Sequence, residues 1–249
     1  MSNPLHLLRT TGILLILLVI VSNIPYILLI QTFGYDDILR EPVDVVLTRF
    51  QAGGSGLIFT WFVFGLAALL LIPTSFLLHS VMVLTATRNQ SPFLLAATLM
   101  GALSGILQAI GLMRWVFVVP ILARLYTDPQ TTATTREAVG IVYQVVHQYG
   151  GVVIGEHLGQ TLLMGWTLGL AWAMRSSSLF KSWVAWWGLS TTPLLLLGQS
   201  ELLATVITGI PVVEATPIGF ILWEIWLLVV GIFLLLVSSK QLILKSNQM

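Results

Sequence analysis

Six apolar runs divide the chain, at Thr11–Ile30, Leu57–Leu84, Phe93–Leu125, Ala138–Met174, Ser182–Thr208 and Pro217–Ser239. A helix needs about 20 apolar residues to cross the hydrocarbon core of a bilayer, which is about 30 Å thick. Each run supplies roughly that many, so the pattern predicts six transmembrane helices. The third and fourth runs exceed one crossing, and their helices are expected to tilt or to extend a turn or two beyond the bilayer. Pro73 and Pro120 fall inside runs; each lacks an amide donor and crowds the preceding turn, so each predicts a kink. Between the first two runs, Val43, Val46, Leu47 and Phe50 recur at helical spacing, with Asp44 and Arg49 among them. That spacing predicts a short interfacial helix on the outer membrane surface, with a lid over a cavity as the sharper alternative.

Composition supports this reading and closes off others. Of 249 residues, 57% are hydrophobic and 8% charged, and the mean hydropathy is +0.95. That leaves too little charge to coat a soluble core. The expected fold is an all-α polytopic membrane bundle. No repeat, linker or low-complexity stretch interrupts residues 1–249, so a single transmembrane domain is expected. A net charge of +1 argues against a nucleic-acid partner, which would want a concentrated basic face. With no cysteine there are no disulfides, no thiol catalysis and no cysteine metal sites. The first run follows Arg9 as a signal peptide would, but it is longer than an h-region. It also ends in Gln31-Thr32-Phe33, so retention as the first helix is expected.

Lys and Arg residues set the orientation. With both termini cytoplasmic, the inner side holds Arg9, Arg88, Arg175, Lys181, Lys240 and Lys245 and no acidic residue. The outer side holds Arg40, Arg49, Arg124 and Arg136, with Asp36, Asp37, Glu41, Asp44, Asp128, Glu137 and Glu214. The six-to-four bias favours this choice. Trp183, Trp186 and Trp187 beside Lys181 read as an inner interfacial anchor.

Ionisable groups at membrane depth are costly, and they pair with one another or line a wet cavity. The candidates here are Arg114, His147, Glu156, His157, Glu201 and Glu224, with Gln160 as a further polar residue. All fall from mid-membrane outward, whereas His79 lies towards the inner side and reads as separate. At α-helical spacing Glu156 and Gln160 share a face, and His157 lies about 100° round from Glu156. Pairing of Arg114 with Glu156 or Glu201 would lock helix register without any chemistry. A solvated cavity would instead bind a small ligand or ion. A catalytic site would use a desolvated carboxylate beside a histidine. Gly151, Gly155 and Gly159 repeat every four residues, with Gly165, Gly169, Gly101 and Gly105 in similar pairs, and mark close helix packing.

Other motifs lead nowhere. Gly53-Gly54-Ser55-Gly56 matches the serine motif of rhomboid-type intramembrane proteases, but the sixth helix has no histidine to act as base. His147 and His157 stand ten apart, on different faces of an α-helix, so no metal site is expected; neither is a cofactor.

Taken together, Gly111-Leu-Met-Arg114-Trp115-Val-Phe-Val-Val-Pro120, Gly155-Glu156-His157-Leu158-Gly159, Glu201 and Trp223-Glu-Ile-Trp226 resemble a bacterial family. It consists of integral membrane proteins of about six helices, catalogued only as a domain of unknown function. The resemblance runs from Gly12 to Leu236 and implies a single bacterial inner-membrane domain, with no reaction or ligand to carry over. The leading expectation is a protein that binds or carries a small lipophilic or protonatable molecule in a polar core between helices three and six. The alternatives are an intramembrane enzyme using Glu156 and His157, and a scaffold or complex subunit. The scaffold would present its glycine seam to a partner helix or to a second copy. In every case the lipid bilayer is the expected surrounding.

Overall fold

The structure, a computed structural model, describes residues 4–35, 37–86 and 91–237. Asp36, Arg88, Lys240, Lys245 and the last two residues of the sixth predicted span lie outside the described residues. The described elements are helical. They are α1 (Pro4–Phe33), a 3-10 turn (Asp37–Arg40), α2 (Val43–Ala68), α3 (Leu71–Thr85), α4 (Ser91–Phe117) and α5 (Val119–Thr127). There follow α6 (Ala133–Val146), a π-helical segment (His147–Leu158), α7 (Gly159–Met174), α8 (Ser182–Ala204) and α9 (Thr216–Leu236).

Over the described residues the apolar runs are helical apart from short breaks and the end of the fifth, where α8 stops at Ala204, and two of the breaks fall where local chemistry puts them. α2 gives way to α3 at Leu69–Leu70, just ahead of Pro73, and α4 gives way to α5 at Val118, just ahead of Pro120. Each proline therefore sits in the first turn of the helix that follows, where its missing amide costs least. The over-long third run is broken at Val118, while the fourth stays helical throughout and changes from α- to π-helix over His147–Leu158. Among the described residues, five helical stretches are long and apolar enough to cross a membrane: Pro4–Phe33, Val43–Thr85, Pro92–Thr127, Ala133–Met174 and Thr216–Leu236. α8 has the length, at 23 residues, but is diluted by Ser190, Thr191, Thr192, Gln199, Ser200 and Glu201. Large apolar side chains stay open on the outside, including Phe59, Phe93, Val145 and Leu236, each over 60% exposed. In water this would be prohibitive, but in lipid it is the solvated state. The chain is a helical multi-pass membrane protein.

The described residues form two compact units. The first draws on the described residues within 1–19, 70–105 and 160–249. Leu15, Leu78, Trp166, Val184, Trp226 and Leu234 are at its centre. Here α8 packs on α9, and the Trp226 indole rests where Gly188 leaves room and donates to the Val184 carbonyl at 2.8 Å. α1 and α9 approach through Gly12 and Gly231, and α4 and α7 through Gly169 against Ala97. His79 is 2.9 Å from the Thr98 hydroxyl, a local structural bond. The Arg175 guanidinium lies 4.6 Å from the Trp172 ring and 4.9 Å from the Trp186 ring, beside exposed Trp183. Such a belt suits a membrane–water interface.

The second unit draws on Ile20–Leu69 and Ile106–Gly159. Its core is aromatic. Trp61 and Trp115 stack at 4.9 Å with an interplanar angle of 11°, and Phe33 packs edge-on to both. The predicted amphipathic helix is the first part of α2. Val46, Leu47 and Phe50 are fully buried, so this face turns into the protein. Phe50 stacks on Trp115. At Gly54 the chain takes φ 58° and ψ −154°, a backbone conformation essentially reserved for glycine, and the helix bends there. The glycine-rich stretch around Ser55 is thus a hinge between the two parts of α2.

Candidate functional site

The sequence singles out Arg114, and the structure buries it in the second unit, 7% exposed. It projects from α4. One guanidinium nitrogen, Nη1, donates to the Gly111 carbonyl at 2.6 Å, one turn back on the same helix. Nε has no acceptor among the described residues. The guanidinium carbon lies 5.2 Å from the centre of the adjacent Trp115 ring. Its other flank rests on Gly151: a Cβ there would fall 2.5 Å from Cζ and Nη2. Gly155 meets Gly111 backbone to backbone, and Gly159 meets Gln108. The glycine stripe is therefore a packing seam within the unit, antiparallel to Gln108, Gly111 and Arg114 on α4.

The segment that carries the stripe is π-helical over 12 residues, His147–Leu158. The Gly159 amide at its end points to the carbonyls of Ile154 and Glu156. π-helix appears mostly as single-turn bulges, often at functional sites, so a run of this length is unusual. It also corrects the face assignment drawn from α-helical spacing, because a step of about 100° per residue does not hold where bonds run from i to i+5. Glu156 and Gln160 serve different contacts. Glu156 pairs with Arg40 at 3.8 Å, a charge contact too long for a hydrogen bond. Gln160, in the first unit, accepts from Gln199 Nε2 at 2.5 Å.

The 3-10 turn Asp37–Arg40 reaches the π segment twice. Arg40 faces Glu156, and His147 hydrogen-bonds to the backbone of Leu39. His147 also stacks on Tyr143 at 5.5 Å, with the phenol oxygen 3.5 Å from Nδ1, and lies edge-on to Trp115. The charges and ionisable groups whose fields reach Arg114 are Glu156, Tyr35, Tyr143 and Arg40. Arg114, His147, Glu156 and half-buried His157 belong to this unit. Half-buried Glu201 and Glu224, with Gln160, belong to the first. The three carboxylates that share a predicted depth therefore fall in different units, and among the described residues Arg114 has a single carboxylate, Glu156, acting on it.

Sequence reasoning missed Arg40 and the aromatic partners Trp61, Tyr35 and Tyr143. One signal was available: Tyr143 precedes His147 by four residues, which places both on one helical face. The described residues hold no group of three or more His, Asp or Glu side chains able to bind a metal.

A family model described as Domain of unknown function (DUF4386) matches residues 10–235. The chain belongs to this family. Comparison with curated proteins and with solved structures finds no match. In this DUF4386 chain the matched region contains the whole Arg114 centre, from the 3-10 turn to the π segment.

Proposed function

We propose that this DUF4386 protein binds or carries a small lipophilic or protonatable molecule at the Arg114 centre, in the cytoplasmic membrane of a bacterium. One observation carries the reading. A buried guanidinium has an Nε without an acceptor, and the nearby carboxylate, Glu156, is engaged by Arg40. A purely structural ion pair would bring Arg114 and Glu156 together, since a buried charge left half-satisfied costs several kcal/mol. The chain acts as one domain: it passes between the two units four times, inside α1 and α4, at the short Leu69–Leu70 break and at the start of α7. Both termini are cytoplasmic, in keeping with Arg9, Arg175 and Lys181 and the Trp belt around Arg175. The scaffold alternative calls for an open glycine seam, whereas Gly151, Gly155 and Gly159 are buried against α4.

Native mass spectrometry of protein released gently from its own membrane tests this. The wild type is compared with Glu156→Gln and Arg114→Gln. A reproducible bound mass, lost in Arg114→Gln while helicity is retained, is the expected result. A bare wild type whose variants are only less stable would return Arg114 to a structural role.

A further inference from the structure

The donor inventory of the second unit specifies what its ligand must offer. Buried side-chain polar atoms without a partner in this unit are Trp61 Nε1, Arg114 Nε and Trp115 Nε1. Each is an N–H donor, and none is an acceptor. They belong to one cluster, with Trp61 stacked on Trp115 at 4.9 Å and the Arg114 guanidinium 5.2 Å from the Trp115 ring. Both indoles are fully buried. Leaving one such donor unmet costs about 1–3 kcal/mol, and three in one place call for a shared acceptor.

An aromatic cluster of this kind also invites a cation, but the geometry opposes it. Trp61 and Phe50 both stack on Trp115, and the cation that lies against its ring is already Arg114. A second cation would meet the field of Arg114, with Arg40 close behind. Phe33, Phe50, Leu57 and Val119 supply apolar walls beside the cluster.

We infer that the Arg114–Trp61–Trp115 centre recognises an oxyanion, a carboxylate or phosphate, carried into an apolar aromatic surround. This rests on the small-molecule reading above and names its ligand class. The same head group is found on an amphipathic lipid and on a free anion, and the test separates these sources.

Full-length protein in a neutral sugar detergent is titrated with oleate, phosphatidylglycerol, inorganic phosphate and oleylamine. Bound mass and tryptophan emission are both followed. Oleate or phosphatidylglycerol is expected to bind if the anion is lipid-borne, and inorganic phosphate alone if it is free. Trp61→Phe and Trp115→Phe keep the ring and delete the donor, and each should weaken binding about three- to tenfold. Arg114→Gln should weaken it at least about tenfold, and Arg114→Lys, which keeps the charge, less. Thermal melts confirm that each variant is folded. Selective binding of oleylamine would overturn the oxyanion assignment while leaving ligand binding intact. So would Trp→Phe variants that melt higher and bind unchanged, as expected of donors merely stranded in a dry core. Failure of all four probes, with no native mass on the wild type, would overturn both readings.

Discussion

Gly111 has no room for one more carbon. A Cβ there would lie 2.5 Å from Gly155 Cα and 3.1 Å from its amide nitrogen, and backbone cannot step aside. Gly111→Ala is expected to destabilise the protein by about 1–3 kcal/mol, the usual cost of overpacking. Gly140→Ala, where the nearest atom would be 3.8 Å away on Val43, should stay within about 0.5 kcal/mol of wild type. Thermal melts in detergent, read by circular dichroism, check the pair. The stripe itself was visible in the sequence as a mark of close helix approach, within the chain or with a partner helix. Its counterpart was not. Nothing in the spacing says that Gly151 faces the Arg114 guanidinium, since spacing fixes which residues share a face and leaves open what that face meets. Arg40 was hidden for the same reason: the sequence offered it as a loop charge, and only folding brings it to Glu156.

The elements followed hydropathy closely, and their interruptions followed proline and glycine. At Gly54 the positive φ together with ψ near −154° excludes side chains. Gly54→Ala should therefore cost about 1–3 kcal/mol, or straighten α2 and pull Phe50 off Trp115. Gly56→Ala, two residues on in ordinary helix with open space around it, should be neutral or stabilising by up to about 1 kcal/mol. Denaturation of both variants distinguishes a conformational requirement at one glycine from a general one. The π segment is the element that sequence could not deliver. An α-helix and a π-helix place the same side chains in the same order and differ in which carbonyl each amide meets. Gly150, Gly151, Gly155 and Gly159 thin out the side chains along it, a feature that reads equally well as packing.

For the whole molecule, the class, a helical membrane bundle, was legible because lipid imposes one rule on every helix that crosses it. The polar centre was legible only in part. Depth along the membrane normal grouped Arg114 with Glu201 and Glu224, while contacts place the two carboxylates in the other unit. Rotation about each helix axis decides such groupings, and a single apolar sequence carries little information on it. Orientation can be tested cleanly because the chain has no cysteine. In intact cells a membrane-impermeant thiol reagent is expected to label Gln130→Cys, between α5 and α6. It should label Ser182→Cys, at the start of α8 near Arg175, only after lysis. The reverse pattern would invert the protein. One consequence of the Trp61–Trp115 stack reaches beyond structure. Two indoles 4.9 Å apart couple their strong electronic transitions, so the second unit is expected to carry its own exciton signal in the far-ultraviolet. Trp166 and Trp223 in the first unit, 6.3 Å apart and steeply inclined at 67°, make a weaker pair. The protein thus holds an internal chromophore that reports on the ground beside Arg114 without any added dye.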